Sequence, residues 1–411
     1  MPVVALATCR EFPLLDAEDR LLIPALADLG IEGVPAVWTD ETIDWSGFDA
    51  VVIRGTWDYS DDRDAFLAWT ERVAAVSLLL NPAPVIAWNT DKRYLRDLAD
   101  QGNVIVRTRF IEPGDEVITS PYSFVASANC AIYEGATPVF ADIDPRTLNL
   151  DPAAVEAAIT PRTKALVAVD IFGYPSEMDE LQAIAERHGL ALLDDSCEAL
   201  GARYKGRPLG AQGQDAVWAF YPNKQITTGE GGIVTTSSEE TWKLLKSLRN
   251  QGRADGGGWL DHARLGYNYR IDDIRAAIGI GQLEKLDIIL AGRCEVAERY
   301  TTLLSGVDGL TLPCPDDEDH ERSWFVYVVE LPEGTDREAV IRVLDERGIG
   351  SARYLPCIHL QSYMRERYGF SEGLCPIAEA KSRRTLALPF HARLAADDQA
   401  FVADALRDAL G

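Results

Sequence analysis

One lysine in a glycine-rich segment is the strongest candidate for covalent chemistry in this chain. Lys224 lies within WAFYPNKQITTGEGG (218–232), between two apolar runs that we predict to be buried strands. Partial burial favours the neutral amine, which is the form that attacks a carbonyl carbon. The glycines after the lysine would let the backbone approach a planar ring or a phosphate closely. A surface lysine in a glycine loop is the alternative, and the segment alone does not decide between the two.

Carboxylates at the end of another apolar run form the second candidate. The segment ALLDDSCEALGA (191–202) places Asp195 at the end of a predicted strand and Glu198 one turn further on. A carboxylate in this position could keep the ring nitrogen of a pyridine-type cofactor protonated. An aspartate that caps the following helix would explain the same residue without any catalytic role.

Two further segments could complete such a site. Phe124 stands near the start of a predicted helix of small residues and could lie over the face of a planar cofactor, although a core phenylalanine fits the position equally well. A polar, aromatic and glycine-rich stretch (249–253 and 258–272) precedes a long predicted helix from about 273 to 305. That stretch could reach the site of a neighbouring subunit or pack against its own chain.

Strand-like and helix-like runs alternate along most of the chain, which indicates parallel α/β organisation. In the first 110 residues the strand candidates are 3–8, 34–38, 49–55 and 77–82, and the helix candidates are 19–30, 61–76 and 89–102. Further along, the strand candidates are 115–119, 137–144, 164–170 and 190–195, with helices at 153–159 and 177–189. From about 311 the pattern becomes that of a smaller α+β unit, with a strand at 324–331 and a helix at 337–348.

Composition excludes several classes of function. The 411 residues carry a net charge of −25, which argues against binding to nucleic acid or to an anionic membrane, since both require a basic surface. No run is long and apolar enough to span a bilayer, and the N-terminus lacks the pattern of a signal peptide, so we expect a cytoplasmic protein. The seven cysteines and five histidines are scattered, so no metal site is predicted.

Taken in order, these segments resemble the DegT/StrS-type sugar aminotransferases, a branch of the fold-type-I pyridoxal-phosphate (PLP) enzymes. The resemblance covers about residues 112–411. It includes PGDEVIT, GATPVFADID, DDSCEALGA, FYPNKQITTGEGG, GYNYRIDDIRAAIG, IHLQSY (358–363) and RTLALPF (384–390). It implies an α/β fold with a PLP-binding large domain at 111–305 and a small C-terminal α+β domain at 306–411.

The resemblance implies a role for each residue of the predicted cofactor site. Lys224 matches the lysine that binds PLP covalently and moves protons during the reaction, and Asp195 matches the acid on the pyridine nitrogen. Glu198 falls near the ring, where the family usually has Gln or His, and Phe124 matches the residue stacked on the ring. Family members that dehydrate sugars carry His in place of this lysine, so Lys224 favours transamination.

The resemblance also implies partners. Asn268 matches a residue that reaches the phosphate of the partner subunit's PLP, so a homodimer is expected. Tyr354 and His359 lie where the sugar is expected to bind. The implied reaction moves an amino group, from an amino acid such as glutamate, to a nucleotide-linked keto sugar in polysaccharide or antibiotic sugar biosynthesis.

Residues 1–110 resemble a different family, the leading domain of certain ATP-grasp ligases. This resemblance rests on ALATCREFPLLDAEDRLL, VVIRGTWDYSDDRDAFLAW and WNTDKRYLRDLADQG. It implies a small Rossmann-like α/β unit. The two families share a short phrase at residues 110–117, which predicts a fusion with its junction there.

The aminotransferase pattern is incomplete at this junction. The family's opening strand and its Ser-Gly-Thr-type turn, which binds the PLP phosphate at a helix N-terminus, should precede PGDEV and are absent. Ala219 also replaces a serine that many members use on the phosphate. A weakened or inactive homologue therefore stays open as an alternative. An ATP-dependent ligase is disfavoured, because the paired lysines and Mg²⁺-binding acids of the grasp lobes are missing.

Overall fold

The computed structural model describes residues 1–16, 19–60, 62–90, 114–253 and 262–411. The chain divides into two compact units, Met1–Phe110 and Ile111–Gly411. The predicted helix at 89–102 and the first residues of the predicted junction at 110–117 fall mostly outside the described residues. No helix in the described ranges is long and apolar enough to cross a membrane.

The first unit is built on a four-stranded parallel sheet in the order β2-β1-β3-β4. Its strands are β1 (Val3–Thr8), β2 (Glu32–Val37), β3 (Ala50–Gly55) and β4 (Leu78–Leu80). The helices are α1 (Leu22–Asp28), α2 (Arg63–Val76) and α3 (Ala83–Asn89). Helix α2 begins at a cap, since Asp62 accepts a hydrogen bond from the amide of Ala65, and it buries Phe66, Trp69 and Val73 in the core.

The second unit contains a six-stranded sheet in the order β12-β11-β8-β7-β5-β6. The strands from β5 to β12 are Glu116–Thr119, Thr137–Phe140, Thr163–Val169, Ala191–Asp195, Arg203–Tyr204, Arg207–Pro208, Asp215–Ala219 and Gly232–Thr235. All neighbouring pairs of the large sheet are parallel except β11 and β12. The nearly continuous apolar run of β7 suits a central strand covered on both faces.

Helices cover this sheet and join its strands. They are α4 (Ala126–Tyr133), α5 (Pro152–Ala158), α6 (Met178–His188) and α7 (Glu239–Leu248). Helix α6 buries Met178, Leu181, Ile184 and Ala185 and ends at Gly189, whose φ of 65° suits a left-handed cap. Because the strands are parallel, the ends of β5, β7 and β8 meet at one edge of the sheet, where Asp195 lies.

Two helices lead to the C-terminal part of this unit. The helix predicted from 273 to 305 is divided into α8 (Asp273–Leu283) and α9 (Leu286–Leu304). An antiparallel sheet in the order β14-β16-β15 follows. Its strands are β14 (Tyr327–Glu330), β15 (Ala352–Arg353) and β16 (Thr385–Leu388), and β13 (His320–Glu321) pairs with β9 instead. The helices are α10 (Arg337–Glu346), α11 (Ser362–Tyr368), α12 (Pro376–Arg384) and α13 (Ala396–Leu410).

Strand β12 forms an uncovered edge of the large sheet in the described structure. Ile233 is 51% exposed and Val234 is 43% exposed. Successive side chains of a strand point to opposite faces, so both faces of β12 lack cover among the described residues. Edge strands of this kind are templates for pairing with further chain.

Candidate active site

The turn between β11 and β12 holds Lys224 in a defined position. The amide of Lys224 donates to the carbonyl of Tyr221 at 3.0 Å. The next side chain, Gln225, donates from Nε2 to the Glu198 carbonyl at 2.5 Å and to Ser323 Oγ at 2.9 Å. Gly231 has a φ of 151°, and a Cβ there would lie 2.5 Å from a threonine hydroxyl, so this position requires glycine.

The lysine amine is buried beside a carboxylate. Lys224 Nζ lies 3.5 Å from Glu198 Oε1, and their side chains are 13% and 10% exposed. The same Nζ lies 4.3 Å from the centroid of the Phe325 ring. Burial raises the pKa of Glu198, and the charge of Lys224 and the amide of Phe172, which donates to Oε2 at 3.0 Å, oppose that rise. The structure therefore holds the lysine amine and the Glu198 carboxylate next to each other in a space sheltered from water.

The first turn of α4 fixes the strand-end acid. Asp195 Oδ2 accepts a hydrogen bond from Ser127 Oγ at 2.7 Å, and Ser127 Oγ lies 2.8 Å from Ser123 Oγ. Phe124 follows Ser123 directly and is 65% exposed, which leaves its ring open to contact with another planar group. The structure thus brings Phe124 and Asp195 to the same sheet edge, and the two linking serines were not identified from the sequence.

A buried arginine ties the Lys224 turn to the rest of the unit. Arg293, on α9, donates from Nη2 to the carbonyl of Lys224 at 3.3 Å. Its Nη1 donates to the carbonyls of Trp324 at 3.2 Å and Phe325 at 3.0 Å. The residue is 7% exposed, and burial lowers its pKa to about 10. An arginine within an amphipathic helix gives no sequence signal for such a contact, so this residue was missed.

The two residues predicted to bind sugar have different environments. Tyr354 lies next to the site, because its ring centroid is 5.7 Å from that of Phe172. Burial raises its pKa to about 12, with a contribution from the charge of Glu198. His359 is fully buried, with Nε2 3.0 Å from Glu379 Oε1, and this environment favours a structural role over contact with a substrate.

Asn268 is exposed and is not joined to the Lys224 turn. Its Oδ1 accepts a hydrogen bond from Arg270 Nε at 2.9 Å, and its backbone forms a bridge with Asn250. No hydrogen bond among the described residues connects it to Lys224 or Asp195. The contact of Asn268 with the cofactor of a partner subunit therefore stays a prediction.

Comparison with known proteins identifies the second unit. The profile of the DegT/DnrJ/EryC1/StrS aminotransferase family matches residues 104–407. The spore coat polysaccharide biosynthesis protein SpsC of Bacillus subtilis is 38% identical over 316 residues, which cover 74% of this chain and 81% of that protein. GDP-perosamine synthase of Caulobacter vibrioides is 41% identical over 290 residues, covering 70% of this chain and 77% of the synthase.

A solved structure agrees with these relatives. The PLP form of a putative sugar aminotransferase from Streptococcus pneumoniae superimposes with a TM-score of 0.69 at 27% identity, covering 73% of this chain and 82% of that one. The predicted fold class is thereby confirmed. For the first unit, the profile of the D-cycloserine synthetase DcsG N-terminal domain matches residues 4–81, which loosely fits the predicted resemblance to a ligase domain.

The observed residues fit the ring of PLP. A buried lysine amine, a strand-end carboxylate held by a serine and an exposed aromatic ring are the groups that such a ring requires, and all three lie in the second unit. Among the described residues, no cluster of His, Cys, Asp and Glu is arranged to hold a metal ion. The chain belongs to the DegT/DnrJ/EryC1/StrS aminotransferase family and is a PLP-dependent aminotransferase.

Proposed function

We propose that this protein transfers an amino group from glutamate to a keto group of a nucleotide-linked sugar. The observation that carries the proposal is the buried pair of Lys224 and Glu198, located beside Asp195 in a chain 41% identical to a GDP-perosamine synthase. The name of SpsC, a spore coat polysaccharide biosynthesis protein, supports the same class of substrate. The cytoplasmic location stays a prediction from the sequence.

In this proposal each residue of the site has one task. PLP, when bound, supplies a ring that stabilises negative charge on a substrate carbon. Lys224 Nζ removes a proton from the donor's α-carbon and later delivers a proton to the sugar carbon. Glu198 Oε1, 3.5 Å away, positions that amine. Asp195, which accepts a hydrogen bond from Ser127, would hold the protonated ring nitrogen, and Phe124 would cover the ring face.

We further propose that the enzyme works as a homodimer. Helix α8 contains no buried residue, and Ile274 and Ile280 are 77% and 60% exposed. Tyr269, next to Asn268, is 72% exposed. Exposed apolar side chains grouped in this way are typical of a surface that another protein covers. A second copy that covers this face would allow Asn268 to reach the partner's cofactor, as the resemblance implies.

The amino transfer can be tested with purified protein. The full chain is loaded with PLP and incubated with glutamate and a panel of nucleotide-linked keto sugars, and mass spectrometry follows the products. We expect one keto sugar to become an amino sugar while an equal amount of 2-oxoglutarate forms. Lys224→Ala should abolish both products, whereas Lys205→Ala, which removes an exposed lysine paired with Asp179, should not. Formation of 2-oxoglutarate with none of the sugars aminated would contradict the proposed substrate class.

A second candidate is an aminotransferase that holds PLP weakly. Two observations favour it: both faces of β12 are exposed in the part of the chain that the structure describes, and Ala219 stands where many members of the family use a serine. Passage through a desalting column distinguishes the two candidates, because a weak site loses its PLP there and a complete site keeps it.

A further inference from the structure

The first unit contains a cleft that includes none of the aminotransferase residues described above. It has a volume of about 960 Å³ and is formed by residues of that unit alone. Arg10, Trp38 and Asp58, which follow β1, β2 and β3, line it together with helix α2. Open parallel sheets bind ligands outside the carboxyl ends of their strands, and the cleft lies at these ends. Its volume is at the upper end of the range for small-molecule sites.

A buried indole in the cleft wall has no hydrogen-bond partner within the described residues of the chain. Trp69 is 2% exposed, and its ring centroid lies 5.2 Å from that of Trp45. Its Nε1 has no acceptor among the described residues. By contrast, Trp38 Nε1 donates to Asp58 Oδ1 at 2.5 Å. Because an unpaired buried donor is unfavourable, a ligand that supplies an acceptor to Trp69 would be stabilised.

Carboxylates give the cleft a negative charge. Four aspartates in its wall each accept a hydrogen bond at Oδ1, and their Oδ2 atoms accept none from the part of the chain that the structure describes. They are Asp40, Asp44, Asp58 and Asp62, whose Oδ1 atoms accept from Thr42, Ser46, Trp38 and Ala65 respectively. The hydrogen bonds from Thr42 and Ser46 lower the pKa of Asp40 and Asp44, so both are ionised near neutral pH. With Glu41, five acids among the described residues face two arginines, Arg10 and Arg72.

We propose that this cleft binds an amino sugar, a small molecule that carries an ammonium group beside hydroxyl groups. The ammonium group would donate to the Oδ2 atoms, and a hydroxyl oxygen would accept from Trp69 Nε1. The half-buried Trp45 and Ile43 offer an apolar surface to the ring carbons. A free amino acid shares the ammonium group, but its carboxylate adds negative charge to a cleft where acids outnumber arginines. The choice of the sugar class rests on the proposed function, since an amino sugar is the product of that reaction.

Binding is tested with the full chain and D-glucosamine as the probe. Calorimetric titration with glucosamine, D-glucose and glutamate compares an amino sugar, a neutral sugar and an amino acid. We expect glucosamine to bind at least about ten-fold more tightly than glucose, because a charge-assisted hydrogen bond is lost in glucose. Lys224→Ala should bind glucosamine as well as the wild type does, which separates this site from the site of the second unit.

Two substitutions remove charge without removing the local hydrogen bond. Asp44→Asn and Asp62→Asn keep an Oδ1 acceptor for Ser46 and Ala65, and asparagine caps helices as well as aspartate does. Each should weaken glucosamine binding by about ten-fold. The matched control is Asp64→Asn on the same helix, whose side chain is 98% exposed and lies outside the cleft, and it should bind as the wild type does. Trp69→Phe, which removes the unpaired donor, should also weaken binding.

Several results would overturn the proposal. They are undetectable binding of glucosamine, equal affinity for glucosamine and glucose, tighter binding of glutamate, or wild-type affinity in both Asp44→Asn and Asp62→Asn. Absorbance of bound PLP, recorded on the same samples, reports on the second unit independently. Bound PLP without glucosamine binding would leave the proposed aminotransfer intact and remove the cleft proposal. Glucosamine binding without bound PLP would leave the cleft proposal intact and remove the proposed aminotransfer.

Discussion

Replacing Arg293 with methionine should release the Lys224 turn. Three hydrogen bonds from its guanidinium hold the carbonyls of Lys224, Trp324 and Phe325. Methionine has a similar length and fits an apolar helix position, but it cannot donate. Since one of the lost bonds fixes the backbone of Lys224 itself, we expect the affinity for PLP to fall about ten-fold, the effect of roughly 1.4 kcal/mol.

The effect on stability is a balance of two terms. Hydrogen bonds to a charged group contribute about 1.5–3 kcal/mol each, and Arg293 donates three. Burial lowers its pKa from 12.5 to about 10, so keeping the charge inside costs about 3 kcal/mol at neutral pH. The hydrogen bonds exceed that cost, so Arg293→Met should lower the free energy of unfolding by about 1–6 kcal/mol.

A matched control lies on the same helix. Arg299 donates to Gln399 at 2.6 Å and to the carbonyl of Leu394 at 3.0 Å, and it does not contact the Lys224 turn. Arg299→Met should therefore lower stability in urea denaturation but leave the PLP affinity, measured by absorbance titration, unchanged. The reasoning fails if Arg293→Met binds PLP as the wild type does, or if both variants weaken PLP binding equally.

Three further predictions concern charge and exposure. Burial raises the pKa of Glu198, so Glu198→Gln should remove one titration step from the pH profile of PLP incorporation, at a pH above the ordinary glutamate value of 4.5. A profile that is unchanged from pH 4 to 8 would exclude a role for the Glu198 carboxyl in PLP incorporation. Burial and the neighbouring Asp170 raise the pKa of Asp194, so the folded state retains a proton and loses stability as pH rises from 3.8 through that raised pKa. Asp194→Asn should therefore be more stable than the wild type at pH 8, by about 1.4 kcal/mol for each unit of pKa shift. Urea denaturation at pH 5 and 8 measures this, and an equal loss of unfolding free energy between the two pH values in both proteins would contradict the prediction. If the β12 edge drives association, the double variant Ile233→Lys/Val234→Lys should reduce light scattering by concentrated protein. The control Leu29→Lys, at a 75% exposed position of the first unit, should not reduce it. Equal scattering by the wild type and both variants would show that the β12 edge does not cause association.

Local patterns predicted many of the elements and the principal site segments. The alternation of apolar runs predicted β1 to β8, but it did not predict α3, β15 or β16, and β12 is exposed although a buried strand was predicted there. The confirmed family follows from motifs such as FYPNKQITTGEGG around Lys224. Asp195 is the last residue of β8, as the end of its apolar run indicated. The roles of the individual site residues stay predictions that the experiments above address.

Contacts between distant parts of the chain could not be predicted in this way. Arg293 is 69 positions from Lys224, and Ser127 is 68 positions from Asp195, so no local pattern links them. The break between α8 and α9 falls at Glu284 and Lys285, both good helix formers, and so carries no sequence signal. For His359, the motif IHLQSY led to the prediction of a contact with the sugar, but a motif does not reveal that the ring is fully buried.

The central claim is that Lys224 binds PLP covalently. Wild-type protein and Lys224→Ala are incubated with PLP, their visible spectra are recorded, and the samples are reduced with borohydride and analysed by peptide mass spectrometry. We predict a visible band in the wild type that glutamate bleaches, the reduced cofactor on the peptide that contains Lys224, and neither signal in the variant. A wild-type protein without the band, or with the cofactor attached to a different lysine, would contradict the account.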